Sequence, residues 1–206
     1  LEWSDSGVDG AHRFLKRLWK QAFDHLQTGR DVVALDTAAL TDDQQALRRK
    51  VHETIQKVSD DVERRQTFNT AIAAVMELSN AISKFVDVSE QGRAVSQEAL
   101  QTAVQLLAPI VPHITHELWT ALGQEGDILT APWPLVDESA LVRTSIEMVV
   151  QVNGKVRAKI NVAADADKDV ILHTALAEEN VQKHMADKSI RKQIVVPGKL
   201  VNIVVG

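Results

Sequence analysis

Two sets of basic side chains have the type and spacing that suit binding of an anion. The first set, on a predicted helix, consists of Arg13, Lys16, Arg17 and Lys20. At about 100° per residue these four fall on one arc, opposite the apolar residues of the same segment. The second set consists of Lys155, Arg157 and Lys159, which occupy alternate positions of a predicted strand. Arg191 and Lys199 are expected nearby. Like charges on one strand face repel each other unless an anion offsets them, so anion binding competes with the interpretation of a solvated surface.

The remaining candidates for chemistry are weak. His113 and His116 lie one helical turn apart beside Glu117, but a third ligand at a suitable spacing is missing, so we expect a helix cap or packed histidines rather than a metal site. The absence of cysteine excludes disulfides and thiolate ligands, and no glycine-rich phosphate loop is found. Trp19 and Trp119 occur at core spacing. The sequence therefore predicts no catalytic residue, no metal and no cofactor site in this chain.

The first basic set depends on a predicted helical bundle. Apolar residues recur with helical spacing in five segments, 9–26, 41–62, 67–85, 96–107 and 112–122. The third segment is apolar around most of its circumference, which predicts a central position. An irregular segment with Pro132 and Pro134 follows the fifth.

The second basic set depends on a small sheet, because the apolar period changes from 3.6 to 2 after Thr144. Asn153-Gly154 indicates a hairpin between two strands. A two-residue loop would mix polar and apolar faces, so we expect a three-residue loop that pairs Gln151 with Lys155 and Glu147 with Lys159. A helix over 168–185 and two strands joined by Pro197-Gly198 complete a ββαββ order.

The predicted fold class is therefore a mainly α-helical bundle followed by a small α+β domain. The expected organisation is a bundle over 1–134, a linker over 135–144 and the small domain over 145–206. Although the 206 residues carry a net charge of −5, the two parts differ. Residues 1–145 hold 14 Lys and Arg against 21 Asp and Glu, whereas residues 146–206 hold 9 against 7. A basic tail on an acidic body points to a polyanionic partner.

Two further expectations concern the location and extent of the protein. The sequence has neither an apolar run of 18 residues nor a secretory signal, and we expect a cytoplasmic location without membrane contact. It begins with Leu1 rather than Met, and we expect it to be part of a longer chain.

Several motifs resemble one family. The run Pro109-Ile110-Val111-Pro112-His113 with the following Glu117-Leu118-Trp119 resembles the signature of the helical anticodon-binding domain in class I aminoacyl-tRNA synthetases for branched aliphatic amino acids. Three further stretches, residues 1–14, 65–74 and 150–157, together with Val196-Pro197-Gly198-Lys199, are similar to the leucyl branch of that class as found in bacteria. The resemblance covers the whole chain.

The resemblance implies a function. A leucyl-tRNA synthetase joins leucine to its tRNA with ATP and Mg²⁺, but the family's ATP-gripping motifs and its editing domain have no counterpart here. The chain is therefore expected to be an inactive C-terminal part that needs no cofactor and holds the tRNA body and elbow. The implied partners are leucine-specific tRNA and the rest of the synthetase chain, with no DNA and a monomeric state. On this basis both basic sets are predicted to contact RNA phosphates.

Two alternatives stay open at this stage. One is the same region of an isoleucyl- or valyl-type synthetase, although such enzymes usually end in a zinc-binding or coiled-coil module. The other is a helical protein-interaction adaptor, which predicts no affinity for RNA and an exposed apolar patch on the sheet.

Overall fold

A computed structural model describes residues 5–142, 145–185 and 189–206. The chain divides into two compact units, Leu1–Val142 and Arg143–Gly206. The first is helical and the second combines helices with a sheet, which confirms the predicted fold class. None of the helices in the described ranges is long and apolar enough to span a membrane.

The helical unit has six α-helices, separated in one place by a π-helical turn, in the part of the chain that the structure describes. The helices are α1 (Asp5–Gln27), α2 (Asp42–Ser59), α3 (Phe68–Lys84), α4 (Glu90–Leu107), α5 (Pro112–Ala121) and α6 (Glu138–Leu141), and the π-helical turn spans Asp60–Arg65. The fourth helix begins six residues earlier than its apolar pattern suggested, because Ser89 caps it by accepting a hydrogen bond from the Gly92 N–H at 3.1 Å.

Helix α4, rather than α3, is the most buried element of the bundle. Ten α4 residues are buried against five in α3. The prediction that the third helix is central was therefore wrong. Four of its ten apolar residues are alanines, and Phe68 at the start of the helix is half-exposed.

The starts of α2 and α4 are joined by a polar network. Thr41 and Gln44 form a reciprocal cap on α2, and the Gln44 amide donates to the Asp87 carboxylate at 2.7 Å. The other Asp87 oxygen accepts from the Ser89 N–H at 2.9 Å. The capping groups of two helices are thus satisfied by one shared set of side chains.

The second unit contains a four-stranded mixed sheet and two helices. Its elements are β1 (Ser145–Val152), β2 (Lys155–Ala163), α7 (Lys168–Ala177), α8 (Glu179–Met185), β3 (Ile190–Val196) and β4 (Leu200–Val205). The strand order is β2-β1-β4-β3, with β1 and β4 parallel. The single helix expected over 168–185 is interrupted because Glu178 has an extended backbone with ψ 125°.

The hairpin register differs from the prediction. Val152 pairs with Lys155, so the loop has two residues, Asn153 and Gly154, with φ of 50° and 76°. Positive φ at both positions suits the twist of a hairpin. The faces do not become mixed, because the register shifts after Val150 and leaves Arg157 as an extra residue in β2. The sequence pattern was compatible with this bulge as well as with a longer loop.

Candidate nucleic-acid interface

The four cations predicted on the first helix all lie on α1 and all are exposed. Helical spacing places Arg13, Lys16, Arg17 and Lys20 along nearly two turns of one solvent-facing arc. Arg17 lies over the Phe14 ring, with its guanidinium carbon 5.7 Å from the ring centre. Lys20 forms an exposed ion pair with Asp24 at 2.6 Å, which offsets part of its charge. Within the part of the chain that the structure describes, Arg13, Lys16 and Arg17 form no ion pair, so they are the more available cations of this arc.

Exposed aromatic side chains border this basic arc. Trp19 is 45% exposed and Phe23 is 54% exposed. The prediction that Trp19 is a core residue was wrong, because the buried face of α1 is formed by Phe14, Leu18 and Ala22, with Leu15 partly buried beside them. Trp119 is buried as predicted.

The three cations of β2 do not form one row. Lys155 pairs with Val152, whose side chain belongs to the core, whereas Lys159 pairs with Val149 on the opposite face. Arg157 is the bulge residue between them and is only partly exposed, with a buried Nε that has no hydrogen-bond partner. The expected shared face is therefore incorrect, because the bulge reverses the alternation within β2.

The expected pairing of Glu147 with Lys159 is diagonal rather than direct. Glu147 lies opposite Asn161, yet its carboxylate accepts from Lys159 Nζ at 2.9 Å. This is an exposed pair, and such pairs contribute little to stability.

One sheet face in this unit packs against α7 and α8, and the other carries a mixed apolar and basic surface. The core face includes Met148, Val150, Ile160, Val201 and Ile203. Register on the opposite face places four side chains in one cross-strand row, Lys159, Val149, Leu200 and Val196. A second row contains Gln151, Asn202 and Ile194. We call these two rows, with Lys192, the open sheet face.

The register of β3 places Lys192, rather than the predicted Arg191, on the open sheet face. Lys192 pairs with Val204 on the open sheet face, whereas Arg191 is the extra residue of a second register shift and lies beside Gly206. Lys199 is exposed where the Pro197-Gly198 turn enters β4. Sequence reasoning missed Lys192, although its period-two spacing with Ile194 and Val196 was the available signal.

The histidine pair is exposed. His113 and His116 are both exposed, and α5 has no side-chain cap at its start, so the expectation of a helix cap or packed histidines was wrong. His116 Nδ1 lies 3.6 Å from the Asp127 carboxylate. Within the described ranges, no three His, Asp or Glu side chains are arranged to hold a metal ion.

One protein-family model matches more than half of the chain. Residues 44–172 match the family described as the anticodon-binding domain of tRNA ligase. The match begins within α2 and extends past both strands of the hairpin into α7.

Two curated relatives of this chain are both named leucine–tRNA ligase. The leucine–tRNA ligase of Thioalkalivibrio sulfidiphilus is 63% identical over 205 residues, which is the whole of this chain and 25% of that protein. The leucine–tRNA ligase of Chromohalobacter salexigens is 63% identical over 204 residues and is covered to 24%. The chain thus spans about a quarter of the length of these curated relatives.

A solved structure shows the same architecture. The LeuRS of Agrobacterium radiobacter K84, in a ternary complex with tRNA and LeuAMS, aligns over 100% of this chain and 27% of its own, with a TM-score of 0.71 and 29% identity. With the family match over more than half of its length, the chain belongs to the anticodon-binding domain family of tRNA ligases.

Proposed function

We propose that this chain is the tRNA-holding part of a leucine–tRNA ligase, with the α1 basic arc contacting the tRNA body and the open sheet face contacting the tRNA elbow. The observation that carries the proposal is the 63% identity to leucine–tRNA ligases over the whole chain. The exposed cations on α1 and at the edges of the sheet support it. These Lys and Arg side chains are the groups that bind RNA phosphates.

The open sheet face suits folded RNA better than a dry protein interface. Val149, Leu200 and Val196 offer an apolar centre for unstacked bases, and Lys159 and Lys192 lie on the two edge strands. Apolar contact flanked by cations is typical of surfaces that bind both bases and backbone.

The longer protein would join leucine to its tRNA with ATP and Mg²⁺ in the cytoplasm, as a monomer. In this proposal ATP and Mg²⁺ act in the rest of that protein. In this proposal the chain positions tRNA and performs no chemical step.

The proposal is tested by titrating residues 1–206 with leucine tRNA and with an unrelated tRNA at several salt concentrations. We expect affinity to fall as salt rises, with a log–log slope of about 0.7–0.9 per phosphate contact. Arg13→Glu and Lys192→Glu should each weaken binding and lower the slope by about one contact.

Lys168→Glu is the matched control. Lys168 is exposed at the start of α7, on the helix-covered side of the sheet, and this variant makes the same change in net charge. Equal losses for Lys168→Glu and Lys192→Glu would mean that only total charge matters. Unchanged binding by both Arg13→Glu and Lys192→Glu would contradict the interface.

A further inference from the structure

A cavity of about 500 Å³ lies within the helical unit, where α1, α3 and α4 meet. Its walls are the second half of α1, the end of α3, the segment 85–88 and the first half of α4. A volume of this size is typical of sites for small organic ligands, which combine an apolar wall with a few polar groups.

One wall of the cavity is apolar and is exposed to solvent. It includes Phe85, Val86 and Val88, and the two valines are 89% and 76% exposed. Asp87 lies between them, and its carboxylate accepts hydrogen bonds from the Gln44 amide and the Ser89 N–H. These bonds hold the segment in place, so the valines stay at the surface unless a ligand covers them.

The opposite wall carries positive charge. Arg17, Lys20 and Arg93 line the cavity, whereas its carboxylates are Asp24 and Asp87. Arg17 forms no ion pair within the described ranges, and its guanidinium lies over the Phe14 ring. The ion pair of Lys20 with Asp24 is exposed and therefore weak. Arg17 and Lys20 are thus available to an anion in the cavity.

Hydrogen bonds between the helices fix the shape of the cavity. Gln21 on α1 donates to the Ser79 carbonyl on α3 at 2.7 Å, and the His25 ring on α1 lies 2.7 Å from the Gln97 side-chain oxygen on α4. Both helices that face α1 are therefore attached to it before a ligand arrives. A preformed site loses less conformational entropy when it binds.

A hydroxyl group remains unused on the α4 side. Ser96 lines the cavity and is partly buried, and its side chain has no hydrogen bond in the part of the chain that the structure describes. A hydroxyl both donates and accepts, so it suits the edge of a base or a ribose hydroxyl.

We propose that this cavity binds one nucleotide, with the base against Phe85, Val86 and Val88. Arg17 and Lys20 bind the phosphate of the same nucleotide, because Lys and Arg are the usual partners of phosphate oxygens. An unpaired nucleotide of RNA and a free mononucleotide share this chemistry. The inference goes beyond the proposed function, which assigns contacts to the surface of tRNA only, and it does not depend on it.

The first test is a titration of the full chain with AMP, followed by the amide chemical shifts in NMR spectra. We expect shifts in residues 82–88 and 96–100, which form the two sides of the cavity. Adenosine and inorganic phosphate each supply half of the contacts and should bind at least about tenfold more weakly than AMP. Absence of any AMP-dependent shift in 82–88 would overturn the inference.

Two variants locate the contacts. Arg17→Gln should weaken AMP binding about tenfold, because it removes a charged partner of the phosphate. Val86→Ser combined with Val88→Ser should weaken it about fivefold through lost apolar contact. All three side chains are exposed, so the fold should survive, and unchanged shifts in the α4 core at 99–107 without ligand would verify this.

Each variant has a matched control. Arg65→Gln makes the same charge change at an exposed arginine, beyond the opposite end of the 17-residue helix α3. Leu135→Ser removes an apolar side chain that is 84% exposed and does not line the cavity. Losses of AMP affinity in the controls equal to those in the cavity variants would overturn the inference, because they would show non-specific binding.

Addition of leucine tRNA to the AMP complex identifies the source of the nucleotide. Displacement of AMP, together with weaker tRNA binding by the valine variant, assigns the site to an unpaired nucleotide of the RNA. Any other combination assigns it to a free mononucleotide. The two proposals fail separately: loss of tRNA affinity in Arg13→Glu and Lys192→Glu without AMP binding leaves only the proposed function, and AMP binding without those losses leaves only the nucleotide site.

Discussion

Asn153 fixes the hairpin turn through its backbone and its side chain together. It adopts φ 50°, its amide donates to the Val205 carbonyl at 3.0 Å, and its side-chain oxygen accepts from the Val205 N–H at 2.9 Å. Gly154 N–H donates to the Asn202 side chain at 3.2 Å. The turn therefore joins β2 to β1 and also attaches both to β4, which itself carries part of the open sheet face.

Replacing Asn153 by Ala should destabilise the second unit by about 2–3 kcal/mol, from two lost hydrogen bonds and an unfavourable left-handed backbone. Asn153→Gly also removes the two hydrogen bonds, but glycine adopts the left-handed backbone without strain. The destabilisation should therefore be about half as large. Hydrogen exchange in β1 and β4 measures both, because every Trp and Phe precedes residue 143 and fluorescence does not report on this unit.

Asn161→Ala is the control for this prediction, since Asn161 is an exposed β2 residue remote from the turn. Equal effects at positions 153 and 161 would mean that the side-chain bonds of Asn153 are unimportant.

At the scale of single residues, the sequence identified the exposed cations more easily than the strand face on which each of them lies. The predicted cations of α1 lie on one exposed arc because a helix has one fixed period. Those of β2 and β3 were misplaced because each edge strand contains one extra residue, Arg157 or Arg191. A bulge is decided by strand twist and edge geometry, which a pattern of polar and apolar letters does not record.

At the scale of elements, two helical glycines have opposite surroundings. A Cβ on Gly92 would clash with the Asp87 carboxylate, whereas a Cβ on Gly10 in α1 would meet nothing within 4 Å. Asp87 accepts hydrogen bonds from Gln44 and Ser89, so it cannot move without breaking the network that joins α2 and α4.

Gly92→Ala should therefore lower the free energy of unfolding of the helical unit by about 1–2 kcal/mol despite the better helix propensity of alanine. Gly10→Ala should raise it by about 0.5–1 kcal/mol. Denaturant titration followed by Trp fluorescence compares them, and stabilisation by both substitutions would show that Asp87 yields without cost.

Element prediction succeeded where a segment carries its own signal. The segments predicted to begin at residues 41 and 112 match the starts of α2 and α5, where Thr41 caps one helix and Pro112 opens the other. Helix α6 was missed because its four residues hold no apolar period, and its position depends on Arg48 and His52, some 85 to 89 residues away in sequence. Long-range ionic contacts of this kind leave no local pattern.

At the scale of the whole molecule, the titratable groups whose pKa is shifted all lie in the helical unit, as far as the structure describes the chain. Hydrogen bonds from Ser139 and Arg48 hold the pKa of Asp137 well below its ordinary value, and a hydrogen bond from Lys50 lowers the pKa of Glu77. Burial lowers the pKa of His25, with its Gln97 hydrogen bond opposing and Arg93 adding to the effect.

All of these groups bind protons more readily in the unfolded chain, so acid should destabilise the helical unit. His25 adds to the free energy of unfolding above about pH 6.5, and this contribution is lost as pH falls below that value. The contribution of the carboxylates is lost as pH falls below about 4. Trp fluorescence during denaturant titrations from pH 7.5 to 3 measures this. His25→Gln should remove the change near pH 6, and an unaltered pH profile in that variant would contradict the assignment.

The position of β4 has a consequence for biosynthesis. This strand is made last of the four, yet it lies between β1 and β3 and supplies Val201, Ile203 and Val205 to the core. Until it leaves the ribosome, β1 and β2 form a two-stranded hairpin, which is marginal in water, and the apolar faces of α7 and α8 lack part of their partner. The nascent sheet is therefore incomplete until β4 has been made, and a ribosome that stops before residue 200 leaves an unfolded second unit attached to a folded first.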